Sequence, residues 1–495
     1  MLHSVNVRGL PLGAVLVKPL GCRRSSGQAG VMSSNSARVS ARPVAFCLHA
    51  LGASSAEFAH LRDALAGEIE VVAIDLPGFG DTAWVDGASV EETVEFVIRR
   101  IRAHGAARWM LVGHSMGGKI ASIIAARTLS GRAPLFGLAG VVLLAASPVT
   151  SEPMAEDRRE LMIGWASESH LASDGHLSDE SAREFVEANI AEPLAETDMV
   201  SAVSGVRRTD PLAWCAWLER GSREDWSSEI GDLAVPALIV SGAQDGELGE
   251  LAQRHLNGST YLAAKFVTIE HAAHLLPIER PQEVAAAILT FWRDHAGTSP
   301  GVPPSTGRVI ASERTSERTR GILSRRALAD DPVYQPSVLS SEQLATLRDI
   351  AERLVPQGDD AIDLAARVDQ QLGRGGGDGW RNAALPADVD AYRLGLDAMV
   401  GFGVHTPERQ GEMIAQLIDG SFVAEGSTLS SKQLQFWFED ARVDLARQWM
   451  AHPATFTRVK YDGFGNGGDG IRKQGFTLLE AGRREAWEPS GGGTE

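Results

Sequence analysis

The chain has 495 residues, more than one ordinary domain needs, so its length predicts two or more domains. Hydrophobic residues make up 44% of it, which is enough for a large core, yet no apolar stretch approaches the length of a membrane span. Its 64 acidic and 47 basic residues give a net charge of −17. That charge disfavours nucleic acid and anionic membranes as partners, because both require a basic surface.

The cysteines and the N-terminus bear on the cellular compartment. Cys22, Cys47 and Cys215 are widely spaced and predict neither a disulfide framework nor a metal cluster, so we expect a reducing, cytoplasmic compartment. The arginine pair at 23–24 is followed by polar residues, whereas a secretory signal continues with an apolar segment. Residues 1–42 are therefore predicted to be a loose extension or the product of an upstream start.

Residues 43–296 alternate short apolar segments with amphipathic ones. Helical patterns lie between most of the apolar segments, at 89–104, 118–130 and 281–294. Continuous apolar strands that alternate with helices are typical of a parallel sheet covered on both faces, so we predict an α/β domain. The apolar segments lie at 44–48, 71–74, 109–112, 141–144, 237–240 and 265–269.

The stretch from about 150 to 232 interrupts this alternation. It has no strand pattern and instead shows helical patterns rich in Glu, Ala and Trp. An insertion of this size within an α/β domain is typical of a lid over a site, so we predict a helical cap. Trp214, Trp217 and Trp226 lie in this stretch, and they fit a substrate cleft and helix packing equally well.

Composition changes again after residue 296. Gly, Pro, Ser, Thr and Arg dominate 297–337, which predicts a linker. Residues 338–485 have helical periodicity throughout and predict a second, all-α domain, followed by a tail at 486–495.

Three helix starts mark the second domain. Capping-box patterns occur at 340–343 and 430–433, and Thr406-Pro407 is a further start signal. The helix that begins after residue 430 has an apolar stripe containing Trp437, Phe438 and Trp449. We expect these aromatic residues to lie in a core and not at an interface.

The sequence Gly-His-Ser-Met-Gly at 113–117 matches the G-x-S-x-G motif of a nucleophile elbow. It follows a strand pattern and precedes a helical one, which is the context that the motif requires. A serine raised at the end of a strand sits on a tight turn, and Gly113 and Gly117 fit because side chains there would come too close. The following helix directs N–H groups at the site and stabilises an oxyanion. Ser115 is the predicted nucleophile.

A serine nucleophile needs a base and an acid that orients the base. His274 follows the last predicted strand after a short turn and is our predicted base, with His271 as the alternative. Asp245 follows the preceding strand and is the predicted orienting acid. Ser115, Asp245 and His274 occur in the chain order known for this type of hydrolase.

Two backbone N–H groups are expected to bind the oxyanion. One belongs to Met116, directly after the nucleophile, and the other to Leu51, which follows the first predicted strand. No cofactor is expected. The glycine-rich residues 463–468 follow no βα pattern and open no helix, so they are not interpreted as a dinucleotide loop.

With these pieces in place, residues 43–296 resemble the α/β-hydrolase superfamily. The resemblance depends on residues 48–52, Asp-Leu-Pro-Gly-Phe-Gly at 75–80, the elbow, Asp245 and His274. It implies an eight-stranded sheet, short at its N-terminal edge, and a helical cap at 150–232. A serine at the elbow, where dehalogenases and epoxide hydrolases have an aspartate, implies action on esters, lactones, thioesters, amides or C–C bonds.

The resemblance also assigns some residues and exposes two departures. Asp75 is implied to be structural and not catalytic. The family usually has glycine where Ala50 and Ala273 stand. We therefore expect a tighter oxyanion loop or an altered turn before the base.

Residues 338–485 resemble the subunit 3 family of gluconate 2-dehydrogenase. The resemblance depends on the helix from Leu344 to Pro356, the aromatic helix that ends at His452-Pro453, and residues 458–465. In that family the subunit accompanies a flavin subunit and a haem subunit and has no evident redox centre. The resemblance implies a flavin-dependent dehydrogenase subunit as partner. His405 and His452 are expected to be structural.

Three functional hypotheses follow. The leading one is a cofactor-independent serine hydrolase that cleaves a small-molecule substrate, an ester or lactone, through an acyl-enzyme. The second is an accessory or scaffold subunit of a sugar-type oxidoreductase. The third is a C–C bond hydrolase, because the same triad can serve both reactions.

Overall fold

Six strands of the first region pair in parallel to form one sheet. The structure is a computed structural model, and it describes residues 42–85, 89–167, 171–358, 361–376, 382–459, 461 and 483. The strands are β1 (Val44–Leu48), β2 (Glu70–Ile74), β3 (Trp109–His114), β4 (Leu138–Leu144), β5 (Ala237–Gly242) and β6 (Ala264–Ile269). Their order across the sheet is β2-β1-β3-β4-β5-β6.

This architecture confirms the predicted α/β fold, and each of the six apolar segments lies in a strand. The resemblance implied eight strands, whereas the sheet has six within the described ranges. The four central strands are buried along their whole length, while the edge strands β2 and β6 are only partly buried. Continuous burial explains why the central segments are apolar at every position and do not alternate.

Helices cover both faces of the sheet and divide its side chains between two cores. Phe46 and Leu48 face one core, whereas Ala45 and Cys47 face the other, as the two-residue period of a strand requires. The helices of this region outside the insertion are α1 (Ala59–Leu65), α2 (Val90–His104), α3 (Met116–Ser130), α9 (Glu250–Leu256), α10 (Leu276–Glu279) and α11 (Pro281–Phe291). Helices α2 and α3 pack on the first face, and α1 and α11 on the second.

The insertion between β4 and β5 is helical, as the sequence predicts for a cap. Its helices are α4 (Glu156–Trp165), α5 (Asp179–Glu187), α6 (Glu196–Arg207), α7 (Pro211–Glu219) and α8 (Ser227–Ile230).

Helical turns that are not α-helices occur elsewhere in the chain as well. They lie at Ser55–Phe58, Gly80–Thr82, Gly221–Arg223, Trp292–Ala296 and Phe402–Val404. None of the helices in the described ranges combines the length and apolarity needed to cross a bilayer.

The segment predicted as a linker contains two helices, α12 (Pro304–Ala311) and α13 (Glu317–Arg326). The buried Arg320 guanidinium donates to the backbone oxygens of Gly131 (2.7 Å), Ile310 (3.1 Å), Ser312 (3.0 Å) and Thr315 (3.0 Å). The polar residues that suggested a linker act here as helix caps and as hydrogen-bond donors to backbone oxygens. A cation at the C-terminus of α3 satisfies carbonyls that the helix leaves open.

The second region has its own helical core. Its helices are α14 (Ser341–Leu354), α15 (Leu364–Gly373), α16 (Asp388–Asp397), α17 (Pro407–Asp419), α18 (Ser431–Ala451) and α19 (Pro453–Arg458). Both predicted capping boxes are present, at Ser340 and Ser430. Trp437 and Phe438 are buried in the core, and Trp449 is partly buried against it.

The two histidines of this region differ in their environment. His452 is buried, and its Nδ1 accepts a hydrogen bond from Ala454 N at 3.2 Å. Burial, helped by Arg367 and Arg458, lowers the pKa of His452 to about 3, so the ring is neutral. His405 is exposed. Residues 462–482, which include the predicted glycine-rich loop and most of the last motif of the resemblance, lie outside the described residues.

Candidate active site

Ser115 lies at the junction between the end of β3 and the start of α3. Its backbone has φ 48° and ψ −117°, a left-handed conformation that a side chain strongly disfavours. Hydrogen bonds hold it there: Ser115 N donates to Leu144 O (3.0 Å), and Ser115 O accepts from Gly118 N (2.8 Å) and Ser147 N (2.9 Å). The strained turn raises the hydroxyl above the end of the sheet.

The glycines of the motif are required by close backbone approach. A Cβ atom added at Gly113 would lie 2.5 Å from Gly117 O, and one added at Gly117 would lie 2.1 Å from Leu48 O. Both distances are shorter than any carbon atom tolerates. The spacing of the motif therefore has the steric origin that the sequence analysis gave it.

Asp245 and His274 meet at the carboxyl ends of β5 and β6. His274 Nδ1 and Asp245 Oδ2 are 2.8 Å apart. The second carboxylate oxygen of Asp245 accepts from Glu247 N (3.1 Å) and Leu248 N (2.9 Å). Burial alone would raise the pKa of Asp245, but the His274 contact and these amides lower it overall, so the side chain is a carboxylate.

Ser115, Asp245 and His274 line one cavity of about 50 Å³, which we call the site cavity. His271, the alternative base, does not line this cavity. Its side chain is 69% exposed and lies 3.5 Å from Glu192. The remaining lining comes from the strand ends and the cap: Ala50, Leu51, Glu152, Met154, Arg158, Met162, Phe185, Asn189, Trp217, Glu247, Leu248 and Leu275.

The two residues predicted to donate to an oxyanion flank this cavity. Leu51 lines it, and Met116 is the first residue of α3, where backbone N–H groups have no acceptor within the helix. Neighbouring Ala50 N donates to Glu57 Oε1 at 3.2 Å, which fixes the loop. Neither Ala50 nor Ala273 has a positive φ, so alanine is accommodated without backbone strain at both departures from the family pattern.

A buried ion pair behind the site was not foreseen. His114 Nδ1 lies 3.1 Å from both carboxylate oxygens of Glu57, and its Nε2 lies 2.8 Å from the backbone oxygen of His274. Both ring nitrogens face oxygen atoms, an arrangement that suits the doubly protonated imidazolium. Burial lowers the pKa of His114, but Glu57, the His274 carbonyl and Asp245 together outweigh this, and the net change is upward. No local sequence signal relates residues 57 and 114.

The cap holds the loop that carries His274, the predicted base. Asn189 O, at the end of α5, accepts from His274 N (3.1 Å) and Leu275 N (3.2 Å). Glu279 accepts from Ala191 N (2.7 Å) and Ala273 N (3.1 Å), although burial raises the pKa of its carboxyl group. These contacts are backbone-directed and leave no motif, so the sequence did not reveal them.

The polar part of the cavity wall was also missed. Glu152 lines the cavity, and its Oε2 is buried without a hydrogen-bond partner among the described residues. Burial raises the pKa of this carboxyl group. Arg158 lies nearby and contacts Glu247 Oε1 (3.1 Å) and Asn189 Oδ1 (3.2 Å). Polar and apolar residues therefore line the cavity in similar numbers.

Other residues that the sequence singled out have packing or loop roles. Trp217 lines the cavity, whereas Trp214 is fully buried and donates to Met162 O at 2.8 Å. Trp226 donates to Glu224 at 2.8 Å. Asp75 accepts from the backbone N–H groups of residues 55 and 81 and thereby fixes two loops. Within the described part of the chain, no group of His, Cys, Asp and Glu residues is arranged to hold a metal ion.

Comparison with known proteins covers the first region. Residues 45–287 match the family described as "Alpha/beta hydrolase family". A pimeloyl-[acyl-carrier protein] methyl ester esterase from Neisseria meningitidis serogroup C is 26% identical over 252 residues, which are 50% of this chain and 92% of that protein. A 2-succinyl-6-hydroxy-2,4-cyclohexadiene-1-carboxylate synthase from Serratia proteamaculans is 26% identical over 226 residues, 44% of this chain and 82% of that protein.

Among solved structures, the enol-lactonase from Burkholderia xenovorans LB400 is similar, with 20% sequence identity and a TM-score of 0.42. The similarity covers 52% of this chain and 93% of that one. The family match ends at residue 287, before α12. The resemblance of 338–485 to gluconate 2-dehydrogenase subunit 3, and the flavin-dependent partner that it implies, stay predictions.

Proposed function

Because residues 45–287 form an alpha/beta hydrolase domain, we propose that the chain is a serine hydrolase that cleaves a small ester or lactone through an acyl-enzyme. One observation carries the proposal. A strained serine and a histidine whose Nδ1 is 2.8 Å from a buried carboxylate line the same cavity. This arrangement is the one that nucleophilic acyl transfer requires.

The first half of the reaction forms the acyl-enzyme. Since Nδ1 of His274 is occupied by Asp245, Nε2 is the nitrogen that takes the proton of Ser115 as its Oγ attacks the carbonyl carbon. The N–H groups of Leu51 and Met116 bind the resulting oxyanion. When the intermediate collapses, the C–O bond to the alcohol breaks, and His274 gives its proton to the departing oxygen.

The second half regenerates the serine. A water molecule loses a proton to His274 Nε2 and attacks the acyl carbon, which again forms an oxyanion at the same two N–H groups. The bond to Ser115 Oγ then breaks, Oγ recovers the proton, and the carboxylic acid leaves. Asp245 remains ionised throughout and stabilises the imidazolium in both halves.

The substrate class follows from the cavity and the relatives. The site cavity encloses only about 50 Å³, which admits a small ester group and not a bulky one. The first relative is named as a methyl ester esterase, and a lactone is a cyclic ester. Small esters and lactones are therefore the substrates to test first.

Active-site labelling tests the proposal most directly. We expect a fluorophosphonate probe to form one covalent adduct, located on Ser115 by peptide mass spectrometry, and p-nitrophenyl acetate to give a burst of p-nitrophenol. Ser115→Ala should lose both signals. Labelling or hydrolysis that persists equally in Ser115→Ala would refute the proposal.

Ser122→Ala is the matched control. Ser122 lies on the same helix, but its Oγ donates to Gly118 O (2.9 Å) and lies 2.8 Å from the Tyr261 hydroxyl, away from the cavity lining. This variant should be labelled as fast as wild type. A comparable loss in both variants would point to general destabilisation and not to a nucleophile.

Two alternatives remain from the sequence. A C–C bond hydrolase would use the same residues, and the synthase relative shows that chemistry other than ester hydrolysis occurs among proteins of similar sequence. Turnover of a vinylogous 1,5-diketone with no turnover of any ester would favour it. An accessory subunit of a sugar-type oxidoreductase would be favoured by co-purification with a flavin-containing dehydrogenase subunit.

A further inference from the structure

A second cavity lies next to the site cavity. It has a volume of about 200 Å³ and lies between residues 51–60, after β1, and the cap helices α5 and α6. We call it the side cavity. Small or apolar residues supply much of its lining: Gly52, Ala53, Val186, Ala202, Gly205 and Val206.

The two cavities share a wall made of side chains. Leu51, Phe185 and Leu275 line both of them. Phe185 is buried and packs edge to face against Trp214, with ring centroids 5.1 Å apart. Because Phe185 lines both cavities, a rotation of its side chain is the movement that would open the side cavity toward Ser115.

The charged residues of the side cavity already have partners. Glu57 is engaged by Ala50 N and by His114, as described above. His60 and Asp198 form a pair, 2.8 Å apart, that joins α1 to α6 at the exposed rim. The interior is thus left to apolar contacts, which suit a hydrocarbon chain and not a charged group.

We propose that the side cavity binds the unbranched apolar chain of the ester substrate, while the ester group lies at Ser115. This inference rests on the proposed function of the site cavity. A chain attached to the acyl carbon and one attached to the alcohol oxygen have the same chemistry, and the experiment distinguishes them. Burial of each added methylene should raise kcat/KM about threefold to fourfold until the cavity is filled.

Two ester series measure the effect. The first varies the acyl chain of p-nitrophenyl esters from acetate to octanoate, and the second varies the alcohol of alkyl acetates from methyl to octyl. A rise in the first series places the acyl chain in the side cavity, and a rise in the second places the alcohol chain there. Flat kcat/KM values in both series would overturn the proposal.

A substitution that fills the cavity sharpens the test. Ala202→Phe places an aromatic ring in the side cavity and should reduce the octanoate-to-acetate ratio of kcat/KM by at least tenfold. Ser204→Phe is the matched control, because Ser204 lies on the same helix with its side chain exposed and outside the cavity lining. Its ratio should equal that of wild type. An unchanged ratio in Ala202→Phe would contradict the proposal.

A binding measurement separates this inference from the proposed reaction. In the Ser115→Ala background, isothermal titration with methyl octanoate should show binding that Ala202→Phe weakens at least tenfold. Equal binding with and without Ala202→Phe would overturn the side-cavity proposal even if esters are hydrolysed. Binding that depends on Ala202 in a protein that hydrolyses no ester would refute the proposed reaction alone.

Discussion

The α/β region and the C-terminal helical region use buried polar groups in different ways. In the first, Asp245, His114 and Glu57 gather behind loops at the carboxyl ends of the strands, next to a cavity. In the second, the buried Asp369 accepts from Leu339 N (2.8 Å) and from the Tyr334 hydroxyl (2.6 Å), which fixes the entry to α14. Buried charge serves a site in one region and chain geometry in the other.

Backbone strain shows the same contrast. Among the described residues, the non-glycine residues with positive φ are Ser115, Ala145 and His271, all in the first region. In the helical region the described positive-φ residues are glycines, such as Gly401 and Gly420. Strain that is retained despite its cost marks a place where conformation matters for function. The comparison predicts that chemistry depends on the first region alone.

The largest expected effect tests that prediction with two histidines. His274→Ala should lower kcat/KM for an ester by roughly 10⁴-fold, because the serine loses its base. His452→Ala removes a buried histidine of the helical region and should leave kcat/KM per folded molecule unchanged. Steady-state kinetics, corrected for the folded fraction by circular dichroism, measure both. Similar losses of kcat/KM in both variants would contradict the prediction that chemistry depends on the first region alone.

A core substitution in the helical region gives the next effect. Trp437 is fully buried, and a Cβ atom added at Gly395 would lie 2.1 Å from its ring, so the two are tightly packed. Trp437→Ala should cost about 3–5 kcal/mol of local stability. Hydrogen exchange should accelerate in 341–458 and not in α3, with unchanged fluorophosphonate labelling of Ser115. Labelling that slows in parallel would show that the regions are coupled.

Lys119 and Arg320 are two buried cationic side chains that both donate to backbone oxygens, so their variants can be compared directly. Lys119 Nζ donates to the backbone oxygens of Gly221 (3.1 Å) and Glu224 (2.9 Å) and lies 5.6 Å from the Trp217 ring. Arg320 donates to one carbonyl at the end of α3, that of Gly131, and to three carbonyls within 310–315. Replacing either residue with methionine should cost about 2–3 kcal/mol in thermal or urea unfolding, because buried carbonyls lose their donor.

Kinetics should separate these two variants. Only Lys119→Met should raise KM, since Trp217 lines the site cavity and the cap end is held by Lys119. Arg320→Met should keep the wild-type KM at a temperature where it is folded. If Arg320→Met changes KM as much as Lys119→Met, then the end of α3 reaches the site.

The smallest effect concerns pH and the Glu57–His114 pair. The pKa of His114 in the folded state is raised above its unfolded value, which is about 6.5. The pair therefore stabilises the fold fully below about pH 6.5, and this contribution is lost as pH rises through the folded pKa. The double variant Glu57→Gln/His114→Gln has neither charge.

The measurement is urea unfolding of both proteins at several pH values. The stability advantage of wild type over the double variant should shrink as pH rises above about 6.5 and through the raised pKa of His114. A gap that widens over this range would reverse the assigned protonation of His114. Fluorophosphonate labelling rates followed in parallel report whether the His274 loop moves when the pair is removed.

The features that could be predicted from the sequence are those determined by a few adjacent residues. The six apolar strand segments, the elbow around Ser115 and the capping boxes at Ser340 and Ser430 each depend on a few adjacent positions. Helix starts and tight turns are decided by local sterics and hydrogen bonds, so a short motif is sufficient to predict them.

Features that depend on distant residues escaped prediction. Glu57 and His114 meet only because β1 and β3 are neighbours in the sheet, and Asn189 reaches the His274 loop only because the cap folds back. The helices at 304–326 escaped for a different reason. Their polar composition indicates a linker, yet Arg320 is buried because it finds carbonyls on another helix. Composition alone does not reveal such partners.

The contacts of α13 show which residues complete the hydrolase domain. Gly131 and Gly321 allow α13 and the end of α3 to touch, since a Cβ atom at Gly321 would lie 2.3 Å from Ser130 O. Arg325 also donates to Leu129 O at 2.6 Å. The helix that begins directly after Ser115 is thus covered at its other end by residues beyond the family match. A fragment meant to keep the hydrolase domain intact should therefore extend through residue 326, because ending it at 296 would remove these contacts.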